Sequence, residues 1–391
     1  KESLIMARNR VIYQSEGLYV SKNASLTGSA DHEQLNRVQS ANYNFSINRQ
    51  DVNQFGDLAR IDSLVLDAPT VSLDFSYYLT DGFNERSLGF FVQTTGNNMM
   101  ISGAGTAGGE ANFASGHLLG SSGQNFYIVT SPDGQDLNST GDGTKLIATD
   151  TTIGVGNCYL SDYSVDLSVG SLPTVSITVE GANMNSSTTA ASGQIPSPAI
   201  NQESGTKYDH KVVLPNATED GGITGKKGDP AITALRPGDV TLSLGDIDGV
   251  SLVKLDGSDG AHIQSASISL PLSRTPIDRL GSRFPFAREV DFPVIATMNI
   301  SAIVATTQSA NLADLLNSGV ESASISVNDT SGNAAIKYTM KGLKVDSQSF
   351  SSSIGSNKSV DITFSTQVGG PADQNNGVFM SGINGTNRVF V

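Results

Sequence analysis

Gly103, Gly105 and Gly108 stand at the G-x-G-x-x-G spacing that lets a pyrophosphate approach a helix N-terminus in dinucleotide-binding folds. That chemistry needs a strand before the loop and a helix after it. No strongly helical segment follows here and no βαβ alternation surrounds it, so in a chain with 41 glycines the match reads as a flexible loop. His32, His117, His210 and His262 are scattered, without the paired spacing of a zinc site or a nucleophile beside them, and each reads as a surface or loop residue. The carboxylate pairs Asp246/Asp248 and Asp256/Asp259 sit in Gly-rich loops and could bind calcium, but neither has the terminal bidentate Glu of an EF-hand loop. Turn formation accounts for them. Cys158 is the single cysteine, which excludes an intrachain disulfide and a thiolate cluster. The expectation is a protein that is not an enzyme, with no catalytic residues, no metal and no cofactor.

The polar residues that form a pattern are short ones. In Ala41-Asn42-Tyr43-Asn44-Phe45-Ser46-Ile47-Asn48 the odd positions are apolar and the even ones small and polar, which in a strand places the two sets on opposite faces. The same alternation returns in Val71 to Tyr77, Tyr163 to Val169 and Val175 to Val179, so four strands forming two long hairpins are expected. Composition agrees: 6% aromatic residues, no Trp and seven Asp-Gly dipeptides describe short strands joined by tight turns. At 391 residues the chain can form two or three domains, each with its own core.

The second half repeats the first. Val38-Gln39-Ser40-Ala41 matches Ile263-Gln264-Ser265-Ala266, and at the same spacing of 225 residues Arg49-Gln50-Asp51-Val52 matches Arg274-Thr275-Pro276-Ile277, with Gly56 matching Gly281. Farther on, Ser164-Val165-Asp166 is matched to Lys344-Val345-Asp346, and Val175 to Val179 to Val360 to Phe364. A short helix is expected between the hairpins of each copy, over 84–92 and 309–316. The organisation read from this is a first domain over 1–184, a linker rich in Ser, Thr, Asn and Pro over 185–207, a second domain over 208–368 and a C-terminal arm over 369–391.

The polar strand faces of the two copies collect Asn42, Asn44, Ser46, Ser72, Asp74, Ser76, Ser164, Asp166, Ser168, Ser176, Thr178, Ser267, Ser269, Thr297, Asn299, Ser301, Asp346, Asp361 and Thr363, with Asn48 and Lys344 beside them. Lys344 is the single basic residue among them. Such a face offers phosphates hydrogen bonds but almost no charge-assisted ones, and the net charge of −14 argues against a surface that grips nucleic acid by releasing counterions. DNA in contact with it would slide. Residues 1–10 carry charges at positions 1, 2, 8 and 10, and nowhere do 18 apolar residues run together, so no signal peptide and no membrane partner is expected.

Over Arg37 to Val92 and again over 153–184, the chain resembles the major tail proteins that build the tube of tailed bacteriophages, especially those with long non-contractile tails. The resemblance implies tandem β-sandwich domains, each with two long hairpins and a short helix, contributing four strands apiece to a β-barrel ring. It implies a structural virion protein, assembled in the host cytoplasm, whose stacked rings conduct DNA and whose partners are its own copies and other tail proteins. The duplication points to a homotrimer with pseudo-sixfold symmetry ahead of a hexamer. Under this resemblance the polar residues collected above would face the lumen, and the loops over 48–66 and 274–290, with the two termini, would meet adjacent rings. A baseplate or capsid decoration protein, or a β-rich surface adhesin, is the alternative; a glycan hydrolase or lectin is disfavoured by the absence of Trp and of paired catalytic carboxylates.

Overall fold

The computed structural model describes residues 16–21, 24–25, 32–93, 112–119, 123–131, 150–188, 194–201, 204–214, 235, 240–243, 261–282, 284–304, 321–328, 334–355, 357–370 and 373–382. The first half holds β1 (Glu16–Ser21), β2 (His32–Gln34), β3 (Val38–Ser46), β4 (Arg49–Val52), β5 (Asp62–Val65), β6 (Thr70–Tyr78), β7 (Gln124–Thr130), β8 (Thr151–Ser168), β9 (Thr174–Gly181) and β10 (Asn183–Thr188). Two five-residue helices, α1 (Phe83–Ser87) and α2 (Ser115–Leu119), lie between β6 and β7. Short strands β11 (Gln194–Pro196), β12 (Ile200–Asn201), β13 (Thr206–Lys207) and β14 (Lys211–Val213) follow. The second half holds β15 (Val240–Ser243), β16 (Ala261–Pro271), β17 (Arg274–Ile277), β18 (Ala287–Val290), β19 (Ile295–Val304), β20 (Glu321–Asn328), β21 (Ala334–Ser351), β22 (Ser359–Gln367) and β23 (Gly377–Gly382).

The protein is mainly β, and most strands join one large antiparallel sheet. Its centre is a run of eight strands in the order β3-β6-β9-β8-β16-β19-β22-β21. The first four come from the first half and the last four from the second, in the same internal order. β8 and β21 are 18 residues each, and their leading portions pair with other neighbours, β8 with β7 and β10 and β21 with β20 and β23.

Irregularities repeat as faithfully as strands do. A bulge, one unpaired extra residue that bends a strand, falls at Gln39 in β3 and, 225 residues on, at Gln264 in β16. Each glutamine amide turns back on a carbonyl two residues earlier, Gln39 to Arg37 at 3.0 Å and Gln264 to His262 at 3.2 Å. With Val175 aligned to Val360, a spacing of 185, the bulges at Ser161 in β8 and Asp346 in β21 coincide too. So do Asn157 (φ 53°) and Gly342 (φ 73°), the left-handed residues at which each long strand changes neighbours.

That register corrects one sequence match. Ser164 corresponds to Ser349 and not to Lys344, which falls at the position of Tyr159. The 185–207 linker is also corrected where it is described. It contains most of β10 and all of β11 to β13, and Ile195, Ala199 and Ile200 are buried. The backbone of Ile200 exchanges two hydrogen bonds with the Asn157 side chain, at 2.7 and 3.0 Å. Pro198 packs so closely on Gly156 that a methyl group there would run into the Pro198 carbonyl. Deleting 194–201 is therefore expected to destabilise the whole first half, since burying one Ile side chain alone contributes about 2 kcal/mol. A thermal melt unchanged by the deletion would restore the linker reading.

The C-terminal arm is corrected likewise, because β23 within it is wholly buried and pairs with β21. Separate cores for the two halves are not seen either. One apolar cluster runs from Leu18 and Phe75 in the first half to Ile300, Tyr338 and Phe364 in the second. Of the two expected helices, the first is present as α1, shorter than 84–92, and 309–316 lies outside the described residues.

Candidate functional site

The apolar set of the six inner strands turns to the core, with Val71, Leu73, Phe75, Val165, Val175, Ile177, Ile268, Met298, Ile300 and Ile362 all buried. The opposite set makes one continuous polar face. One row crosses all eight strands through directly opposed pairs: Ser40, Ser76, Ser176, Ser164, Ser269, Thr297, Ser365 and Lys344. The next row runs through Asp166, Ser267, Asn299, Thr363 and Ser347, and a third through Ser168, Ser265, Ser301, Asp361 and Ser349. Toward the other end lie Asn42, Asp74, Thr178 and Asp162, then Asn44, Ser72 and Glu180, with Ser46 at the rim.

Every residue assigned to the polar face from the sequence shares it, except Asn48, which lies past the end of β3 and donates to Asp67 at 3.1 Å, and Asp346. That side chain sits on the bulge, out of register, and Ser347 takes the place opposite Thr363. Ser40, Asp162, Glu180, Ser265, Ser347, Ser349 and Ser365 complete the face and were missed; for Ser347 and Ser349 the signal was the repeat itself, once the 185-residue spacing is applied through β21. Short hydroxyls pair across strands, as Ser40 with Ser76 at 2.7 Å and Thr363 with Asn299 at 2.9 Å. Asp74, Asp162, Asp166, Glu180 and Asp361 leave the face acidic, against Lys344. Burial raises the Asp162 carboxyl from its ordinary value.

At one end of the face the β17–β18 hairpin of the second half crosses to the first. Arg274 and Arg288 stack on Tyr159, 4.9 and 5.9 Å from its ring centre, Arg288 reaches Glu180 at 3.6 Å, and Arg274 donates to the His117 carbonyl at 2.6 Å. Its repeat partner, the β4–β5 hairpin, is exposed at nearly every position.

Beneath the sheet lies a buried polar network. Glu85 on α1 accepts from Tyr77 at 2.8 Å, Tyr163 hydrogen-bonds it as well, and the Tyr163 and Tyr338 hydroxyls meet at 2.7 Å across the boundary between the halves. Burial first, and the nearby Asp81 charge, push the Glu85 carboxyl up to about 7. Arg86 faces Glu33 at 3.6 Å with both side chains buried. His32 is buried against Tyr127, so the surface reading of that histidine is corrected. His117, beside Phe90, is held neutral, its pKa lowered to about 3 by burial and the Arg274 cation. No group of three or more potential metal ligands occurs among the described residues. Gly103 to Gly108 and the Asp246/Asp248 and Asp256/Asp259 pairs lie outside them. No helix among the described residues is long and apolar enough to cross a membrane.

No family model and no curated protein matches the sequence. Among solved structures the chain is similar to a type VI secretion system effector from Yersinia pestis, 11% identical over 36% of this chain and 96% of that one, with a TM-score of 0.18. A likeness that slight carries no argument.

Proposed function

We propose that the protein is a structural subunit of a bacteriophage tail tube, built as two tandem copies of one β-sandwich domain, and that three chains close into a ring. The observation that carries this reading is the junction between β8 and β16. There the last strand of one four-strand set pairs, residue for residue, with the first strand of the next. The chain thus contains one internal example of set-to-set joining, and among the described strands β3 and the trailing part of β21 stand first and last in the run. Unpaired edges of this length favour association, and closure removes them. Three chains bring about 24 strands, a number that encloses an aqueous channel.

The polar face would line that channel. Its hydroxyls and amides can hydrogen-bond water and phosphate without a lattice of cations to hold DNA, and its carboxylates add mild repulsion. Nothing in this role calls for a catalytic group, a metal or a cofactor. Electron microscopy of the particles, with symmetry analysis, tests it: stacked hollow rings of three chains are expected. Six chains per ring would keep the tube and remove the fused-domain argument, and solitary monomers or spikes would favour a baseplate or decoration protein.

A further inference from the structure

At equivalent places of the two copies, apolar residues that are buried in one are exposed in the other. At the spacing of 225, Tyr43, Phe45 and Ile47 correspond to Ile268, Leu270 and Leu272. Leu270 and Leu272 are 0% exposed, whereas Phe45 is 61% and Ile47 38% exposed. The chemistry is the same and the burial differs: β16 has β8 and the first half beside it, whereas among the described residues no strand pairs with the corresponding edge of β3. The opposite edge shows the matching gap: Val165 on β8 is 0% exposed, and its counterpart Phe350 on β21 is 40% exposed.

We infer that β21 of one chain binds β3 of the next in the register of the internal junction. This rests on the ring proposed above and specifies how it is held. The observed pairs Ile268↔Val165 and Ser269↔Ser164 become, after the two spacings are applied, Tyr43 against Phe350 and Asn44 against Ser349. An aromatic pair thus replaces an aliphatic one on the core side, and the polar row continues unbroken on the other. The partner is a second copy of this chain, because the equivalents of these two edges, β16 and β8, already pair with each other inside the chain. The hairpins supply a second reason: β17–β18 already lies across the internal junction on Tyr159 and Glu180, while β4–β5, carrying Phe55 and Leu58 fully exposed, meets no comparable surface among the described residues. The arginine clamp is not repeated, since Lys344 replaces Tyr159 and Ser63 replaces Arg288. The chain-to-chain junction is therefore the weaker of the two.

The test is a pair of cysteines in the full-length chain. Asn44→Cys with Ser349→Cys, oxidised in assembled particles, is expected to give a disulfide-linked species that stops at three chains. Asn44→Cys with Ser351→Cys is two residues out of register, beyond ordinary disulfide reach, and is expected to stay uncrosslinked. Cross-linking of the shifted pair alone, or of neither pair in particles that electron microscopy shows to be three-chain rings, would overturn the register and leave the tube standing. Absence of rings would remove both. A Phe350→Ala variant gives a second reading: because this ring is 40% exposed, a nearly unchanged melt of the single chain with weakened assembly is expected, and normal assembly counts against the junction.

Discussion

Replacing Ser76, Ser164, Ser176 and Ser269 together by Lys is expected to leave rings and tails intact while lowering infectivity by at least about 100-fold, given how steeply affinity for DNA grows with each cation set against a phosphate. The four serines lie side by side in one row across β6, β9, β8 and β16. Their side chains point away from the core, so a long solvated chain can extend without disturbing Phe75, Ile177, Val165 or Ile268 on the other face. In a three-chain ring the substitutions would place about twelve ammonium groups at one level of the channel. Phosphates that found neutral partners at all but Lys344 in this row would then meet charge-assisted ones throughout it, and a mobile polyanion would become a bound one. Ejection in vitro should recover as salt is raised, because counterion release drives the binding. The same four positions changed to Asp supply the control, with expected passage near the unaltered level. If both sets of variants ejected normally, the face would not be the channel wall; if both failed equally, packing and not charge would be responsible.

What the sequence made legible follows the distance over which each signal acts. The alternation in β3, β6, β8, β9 and β19 is local, and it gave both the strands and the outward faces. The repeat is a longer signal but survives where no residue is inserted, as from Val38 through the β4–β5 hairpin to its counterpart at 225. It failed in β21. A bulge at Asp346 breaks the period of two, and Lys344-Val345-Asp346 imitates Ser164-Val165-Asp166 five residues away from the true equivalent. Ser347 and Ser349 went unseen for that reason. The 194–201 segment was misjudged on composition, since strands of two or three residues carry no period and the burial of Ile195 comes from Tyr19, Tyr127, Val212 and Leu214, none adjacent in sequence. α1 was the least legible of all. The helix was expected, but nothing local marks Asn84, Glu85 and Arg86 as buried, and each is buried because a partner arrives from elsewhere: the Asn36 backbone at 2.8 Å, Tyr77, and Glu33.

Glu85 gives the largest expected response to pH. Its carboxyl titrates near 7 in the folded protein because burial disfavours the charged form, with Asp81 adding to that and the tyrosine hydroxyls opposing it. Unfolded, it would titrate near the ordinary value of 4.5. Between those two values the folded chain holds a proton that the unfolded chain has released. Stability contributed by the neutral carboxyl is thus fully present below about pH 4.5, falls as pH rises to about 7, and is flat beyond. The loss across that window is roughly 3 kcal/mol, taking about 1.4 kcal/mol for each pH unit. Glu85→Gln keeps an oxygen for Tyr77 and cannot titrate, so the variant should gain on the parent by that amount between pH 5 and pH 8. Other carboxylates raised by burial, Glu16 and Asp162, are common to both proteins and cancel in the difference. Denaturant midpoints of the two proteins across this range measure it, and a gap that did not change with pH would mean that Glu85 is ionised throughout. Because Tyr163 and Tyr338 carry the same network across the boundary between the halves, the variant should also hold the two sets of strands together at pH 8, where the parent's seam contains a buried negative charge.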